Sequence, residues 1–145
     1  MAVNYQGRRV SDIEVCNVLE AISTYFGRDL NITSGDRGTA LTVGAGDGSL
    51  HLQNRAADFH IDGLDDGTAY LHLKVYASQF FLSGERYEVV LHGTHTETSG
   101  AHLHIGRIGT NANGYVKFVK EGISSEDTGT YSRDVVMTIN SSARE

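Results

Sequence analysis

The chain has 145 residues, a formal net charge of −6 at pH 7 and no proline. This length suits a single domain with a substantial core, and no second domain is implied. Because no cluster of Lys or Arg offsets the negative charge, the sequence does not support binding to nucleic acid. The single cysteine, Cys16, excludes an intramolecular disulfide, and its apolar helical surroundings suit a small buried hydrophobe rather than a metal ligand.

Membrane and export signals are not found in the sequence. No stretch has the length of apolar residues that a membrane span needs, and the first nine residues lack the apolar core of a secretory signal. We therefore expect a soluble chain. We also expect this chain to be a monomer. A role outside the cell would then require release at lysis, carriage in a virus particle, another export route or a leader that this sequence does not include.

The first predicted element is an amphipathic helix. The segment Ser11-Asp12-Ile13-Glu14 has the composition of a capping box, in which Ser11 begins the helix. Gly27 supplies the stop. Between them, five apolar residues recur at helical spacing: Val15, Val18, Leu19, Ile22 and Phe26.

Later segments are typical of strands. Residues 30–33, 56–61, 87–91 and 102–105 have strand composition, and residues 115–120 and 133–139 predict a hairpin. Residues 68–81 are ambiguous, because their apolar residues alternate as in a strand although the run is long enough for a helix. We predict an α+β domain in which the amino-terminal helix packs on a mainly antiparallel sheet.

One carboxylate and several imidazoles occur in an order that suits zinc. Seven positions separate His51 from Asp58, so a loop must fold back to bring them together. His102 and His104 are two apart, and on a strand both would point to the same face. Zinc binds imidazole nitrogen and carboxylate oxygen, and a site with three protein ligands keeps a fourth position open for water. The pattern therefore indicates a metal site with an open position at which chemistry can occur.

The same residues resemble a known family. Ser-x-His-x-x-x-Arg-Ala-x-Asp, from Ser49 to Asp58, and the later His-x-His resemble the M15 zinc D-Ala-D-Ala peptidases and the related hedgehog signalling domain. Residues 32–37 also resemble the family's Ser-Gly-Tyr-Arg segment. The resemblance implies a hedgehog/DD-peptidase-like fold, favours a helix for residues 68–81, and implies Zn²⁺ as cofactor and a peptidoglycan peptide as substrate.

The resemblance also implies roles for individual residues. His51, Asp58 and His104 correspond to the zinc ligands, and Arg37 to a clamp for a substrate carboxylate. His102 corresponds to a neighbour that steadies a developing oxyanion. If the register instead follows relatives with a single His in this strand, His102 is the ligand and His104 the neighbour.

Two positions depart from the family's pattern. Asn54 stands where the family usually has Gly in a tight turn, although Asn tolerates the left-handed conformation better than most residues. Ala101 stands three residues before His104, where the family places a catalytic Glu or Asp. We interpret Glu97, seven residues before His104, as the general base. Three further residues are alternatives for this role: Asp36, Asp47 and His95.

Three functions are compatible with these residues. The first is a zinc peptidase, either a carboxypeptidase or an endolysin-like endopeptidase, that hydrolyses peptidoglycan stem peptides at a D-amino-acid bond. The second is a binding or signalling module that keeps zinc without turnover, which Ala101 favours. The third is a structural zinc domain, which usually closes four protein ligands around the metal.

Plainer interpretations exist for each residue. His51 and Asp58 could form a structural hydrogen bond, and the two histidines of the His-x-His segment could simply alternate on a half-exposed strand. Arg37 could pair with Asp36, and Glu97 could lie on a solvated loop.

Overall fold

The computed structural model describes residues 2–36, 50, 54–81, 85–93, 102–110, 114–121 and 131–139. These residues confirm the α+β class. Their elements, in chain order, are β1 (Val3–Asn4), α1 (Ile13–Phe26), β2 (Leu30–Ser34), β3 (Ala56–Ile61), α2 (Asp66–Val75), a 3₁₀ turn (Ala77–Gln79), β4 (Glu85–His92), β5 (His102–Thr110), β6 (Tyr115–Glu121) and β7 (Tyr131–Thr138).

The strands form one mixed sheet in the order β1-β2-β3-β5-β4-β6-β7. The pairs β2–β3, β3–β5, β4–β5 and β6–β7 are antiparallel, whereas β1–β2 and β4–β6 are parallel. The predicted hairpin of β6 with β7 is confirmed. Strand β5 lies fourth of seven, so the His-x-His segment is at the centre of the sheet.

Helix α1 begins one residue later than the capping box predicts. Asp12, not Ser11, is the N-cap, and its side chain accepts a hydrogen bond from the backbone N–H of Val15 at 3.0 Å. The Ser11 hydroxyl instead donates to the Asp36 carboxylate, which removes it from the helix end. The helix ends at Gly27, as predicted, because Gly adopts the left-handed conformation there (φ 64°).

The core lies on one face of the sheet. Alternate strand residues point into it, among them Phe59, Leu103 and Val89, together with the buried sides of α1 and α2. Residues 68–81, which were ambiguous between strand and helix, form most of α2 and the 3₁₀ turn, so the helix is confirmed. Neither described helix combines the length and apolar composition needed to cross a membrane.

Candidate functional site

The face of the central strands that points away from the core carries polar side chains. Along each strand these polar residues alternate with the residues that point into the core. We call this surface the polar face. Six of its ionisable groups form a chain of contacts; five of them are buried, and the side chain of Glu88 is 24% exposed. They are Asp58 on β3, Glu88 and His92 on β4, His102 and His104 on β5, and Glu121 on β6.

Asp58 is at the middle of this group. It lies directly opposite His104 in the register of β3 and β5, and its own exposure is 5%. Its Oδ1 is 2.9 Å from His104 Nδ1, and its Oδ2 is 3.3 Å from His102 Nε2. The prediction that both histidines point to one face is therefore confirmed, and a single carboxylate contacts both.

His104 lies between two carboxylates. Besides Asp58 at Nδ1, Glu88 Oε2 is 2.7 Å from His104 Nε2. Burial alone would lower the pKa of His104, but hydrogen bonds to Asp58 and Glu88 raise it to about 10. A carboxylate can only accept, so in this arrangement both ring nitrogens of His104 are donors.

A second buried pair adjoins the first. His92 Nδ1 is 3.2 Å from Glu121 Oε1, and the His92 ring lies 4.3 Å from the His102 ring, centroid to centroid. Burial lowers the pKa of His92 to about 4, helped by the nearby rings of His102 and His104. His92 is therefore neutral at pH 7, and its Nδ1–H donates to Glu121.

Sequence reasoning missed Glu88, His92 and Glu121. Alternation along residues 87–91 does place Glu88 on the polar side of a strand, which is a usable signal. The neighbours of His92 and Glu121, however, depend on the parallel pairing of β4 with β6, which local sequence does not specify.

Leu50, which precedes His51 in the sequence, lies beside Gly106 and His104. Leu50 is buried, and a Cβ added to Gly106 would lie 2.5 Å from Leu50 Cδ1 and 3.2 Å from His104 Nε2. The carbonyl of Leu50 accepts from the Arg55 backbone N–H at 2.9 Å. Asn54 has φ 58°, so it does adopt the left-handed conformation where the family usually has Gly.

Three of the predicted site residues, Arg37, His51 and Glu97, lie outside the described residues, as do the alternatives Asp47 and His95. Asp36 is described, and its carboxylate accepts from Ser11 and lies 3.8 Å from Arg9 Nε. This arrangement ties Asp36 to the segment before α1.

Comparison with known proteins decides the family. A family model for peptidase M15 matches residues 3–90, more than half of the 145 residues. The chain belongs to the M15 peptidase family. No curated protein and no solved structure matches it.

The match covers the part of this M15 chain that contains His51 and Asp58, and it ends before the His-x-His segment. The pairing of β3 with β5 brings the matched part of the chain to the His-x-His segment, because it places Asp58 directly opposite His104.

The donor chemistry of the polar face suits zinc, since imidazole nitrogen and carboxylate oxygen are its usual ligands in proteins. Among the described residues, however, no group of three His, Cys, Asp or Glu side chains is arranged to hold a metal ion. Asp58 and the two β5 histidines supply the right donor atoms in this M15 domain, but as placed they do not form a three-ligand site.

Proposed function

We propose that this M15 chain is a zinc-dependent peptidase that hydrolyses peptidoglycan stem peptides at a bond involving a D-amino acid. The observation that carries the proposal is the contact of Asp58 with His104 on the buried polar face, at 2.9 Å, in a chain of this family. Buried carboxylate and imidazole groups that contact one another and have shifted pKa values are typical of functional sites.

In this proposal the zinc ligands are His51, Asp58 and His104. His51 directly follows Leu50, whose side chain packs at Gly106, two residues along β5 from His104. This packing supports His51 as the ligand that completes the site, since its neighbour Leu50 lies beside the strand that carries His104.

Zinc bound there would supply a water of lowered pKa and would polarise the scissile carbonyl. We assign proton removal to Glu97 as general base. His102, held 3.3 Å from Asp58, would donate to the oxyanion that develops on the carbonyl oxygen. Arg37 would hold a free substrate carboxylate, a contact that a carboxypeptidase needs and an endopeptidase does not.

One observation favours a second candidate. Ala101 occupies the position, three residues before His104, where the family has a catalytic carboxylate. A zinc-containing binding or signalling module of the same superfamily, without turnover, would not need that carboxylate.

The two candidates are separated by one experiment on the purified chain. Metal analysis gives the zinc content, and incubation with purified muropeptides, followed by mass spectrometry, shows whether a stem-peptide bond is cut. Zinc with cleavage supports the peptidase. Zinc without cleavage supports the binding module, and a chain that neither binds zinc nor cleaves contradicts both.

A further inference from the structure

Glu88 and Asp58 hold the His104 ring from opposite sides. The Glu88 Oε2 to His104 Nε2 distance is 2.7 Å, and the Asp58 Oδ1 to His104 Nδ1 distance is 2.9 Å. The two carboxylates come from the two strands that flank β5, because β5 lies between β3 and β4. The orientation of the ring is therefore set by the sheet on both sides.

The two contacts have different consequences for a metal site. Asp58 is a proposed zinc ligand, so a metal bound to it would approach His104 at Nδ1, the nitrogen nearest that carboxylate. Glu88 contacts the other nitrogen. A metal-bound histidine commonly donates its second ring N–H to a carboxylate, which fixes the tautomer and the ring orientation.

We propose that Glu88 is a positioning residue that keeps a proton on His104 Nε2 and presents Nδ1 to the metal, which marks His104 as the ligand of the His-x-His pair. This inference rests on the proposed zinc site. Glu88 contacts the His104 nitrogen that faces away from Asp58, so it would not itself be a ligand of a metal bound by Asp58.

His102 is held in another way. Its ring stacks on His92, and its Nε2 faces the second oxygen of Asp58 at 3.3 Å. Both histidines therefore face the Asp58 carboxylate, and what marks His104 is its further contact with Glu88.

The test compares zinc affinity in five proteins: wild type, Glu88→Gln, Glu88→Ala, His104→Ala and Glu85→Gln. Competition with a chromophoric chelator gives the dissociation constant. Loss of such a supporting carboxylate weakens metal binding by about 10 to 100-fold, so Glu88→Ala should show a loss of this size. Glu88→Gln should lose less, since its amide oxygen can still accept from Nε2–H.

Glu85→Gln is the matched control, because Glu85 is on the same strand but its carboxylate contacts Arg107, at 3.4 Å. It should bind zinc as the wild type does. Thermal unfolding of the metal-free variants checks that each remains folded.

A second readout identifies the nitrogen that binds. In the zinc-loaded protein with ¹⁵N-labelled histidine, the ring-nitrogen shifts should show His104 with a metal-bound Nδ1 and a protonated Nε2. In Glu88→Ala, the Nε2–H of His104 should exchange faster with solvent, a change that a purely structural role for Glu88 would not produce.

The outcomes distinguish the proposed role of Glu88 from the proposed zinc site. If His104→Ala abolishes zinc binding but Glu88→Ala binds as wild type, the positioning role is wrong and the zinc site stands. Binding of His104 through Nε2 would also overturn it, since Glu88 would then lie beside the metal. A wild type that binds no zinc removes the site and the inference together.

Discussion

Asp58 of β3 and His104 of β5 lie directly opposite each other, with Asp58 Oδ1 2.9 Å from His104 Nδ1, although 46 positions separate them in the sequence. Strand register, rather than a local turn, brings these two groups together. A change that shifts the register by one residue would send one of them to the core face. The fold and the proposed site therefore depend on the same pairing.

Asp12 joins helix α1 to the sheet. It caps the helix and also accepts from Arg107 Nη2 on β5 at 2.7 Å. We expect Asp12→Ala to lower the free energy of unfolding by about 2 kcal/mol, the upper range for a lost cap. Asp65→Ala is the matched control, since Asp65 caps α2, and it should cost about 1 kcal/mol. Denaturant unfolding gives both values, and equal losses would contradict a contribution from Arg107.

The same residue predicts a pH dependence. Burial works against the charged form of Asp12, but hydrogen bonds from Arg107 and Val15 hold its pKa below the ordinary value of 3.8. The stability that it contributes is therefore complete above pH 3.8 and is lost as the pH falls through the lower folded-state pKa. The difference in unfolding free energy between wild type and Asp12→Asn should shrink over that acid range. A difference that stays constant there would be inconsistent with this linkage.

Gly106 leaves room for Leu50 beside His104. Because a Cβ at this position would lie 2.5 Å from Leu50 Cδ1 and 3.2 Å from His104 Nε2, Gly106→Ala should displace one or both side chains. We expect zinc affinity to fall by about tenfold, which is the size of loss that follows when the groups supporting a metal ligand are disturbed. Chelator competition measures this. Unchanged affinity would mean that the neighbours adjust without moving a ligand.

Much of the fold could be predicted because its signals are local. The spacing of Val15, Val18 and Ile22 predicted α1, and two-residue alternation predicted that His102 and His104 share a face. The N-cap was misplaced by one residue, because Ser11 and Asp12 are both good caps and only tertiary contacts decide. Ser11 bonds to Asp36, and Asp12 pairs with Arg107.

The residues that surround the site could not be predicted as well from the sequence. Nothing near Glu88 or His92 indicates that β5 lies between β3 and β4, or that β6 runs parallel beside β4. Those long-range pairings bring Glu88 to His104 and Glu121 to His92. The roles of Arg37, His51 and Glu97 stay predictions, since these residues lie outside the described ranges.

The general base can be tested separately from the metal. Glu97→Gln should leave zinc bound and reduce hydrolysis of a D-Ala-containing stem peptide by roughly 10²-fold or more, the scale that general base catalysis supplies. Rates come from chromatographic assay of the products, with zinc content measured on the same samples. Full activity in Glu97→Gln would assign the base to another carboxylate.

The effect of removing Arg37 distinguishes a carboxypeptidase from an endopeptidase. For substrates with a free terminal carboxylate, Arg37→Ala should raise KM with little change in kcat, because a charge-assisted contact is lost while the reacting groups stay in place. Substrates with an amidated terminus are the control and should be unaffected. Equal effects on both would rule out carboxylate recognition by Arg37.

Zinc stoichiometry in single-residue variants tests the central claim most directly. Elemental analysis after dialysis against a weak chelator should find close to one zinc per chain in the wild type and in His72→Ala, where the altered histidine contacts Tyr25 rather than the polar face. His51→Ala and Asp58→Ala should each retain almost none, because a three-ligand site does not survive the loss of one ligand. Stoichiometric zinc in His51→Ala or Asp58→Ala would contradict the proposed site.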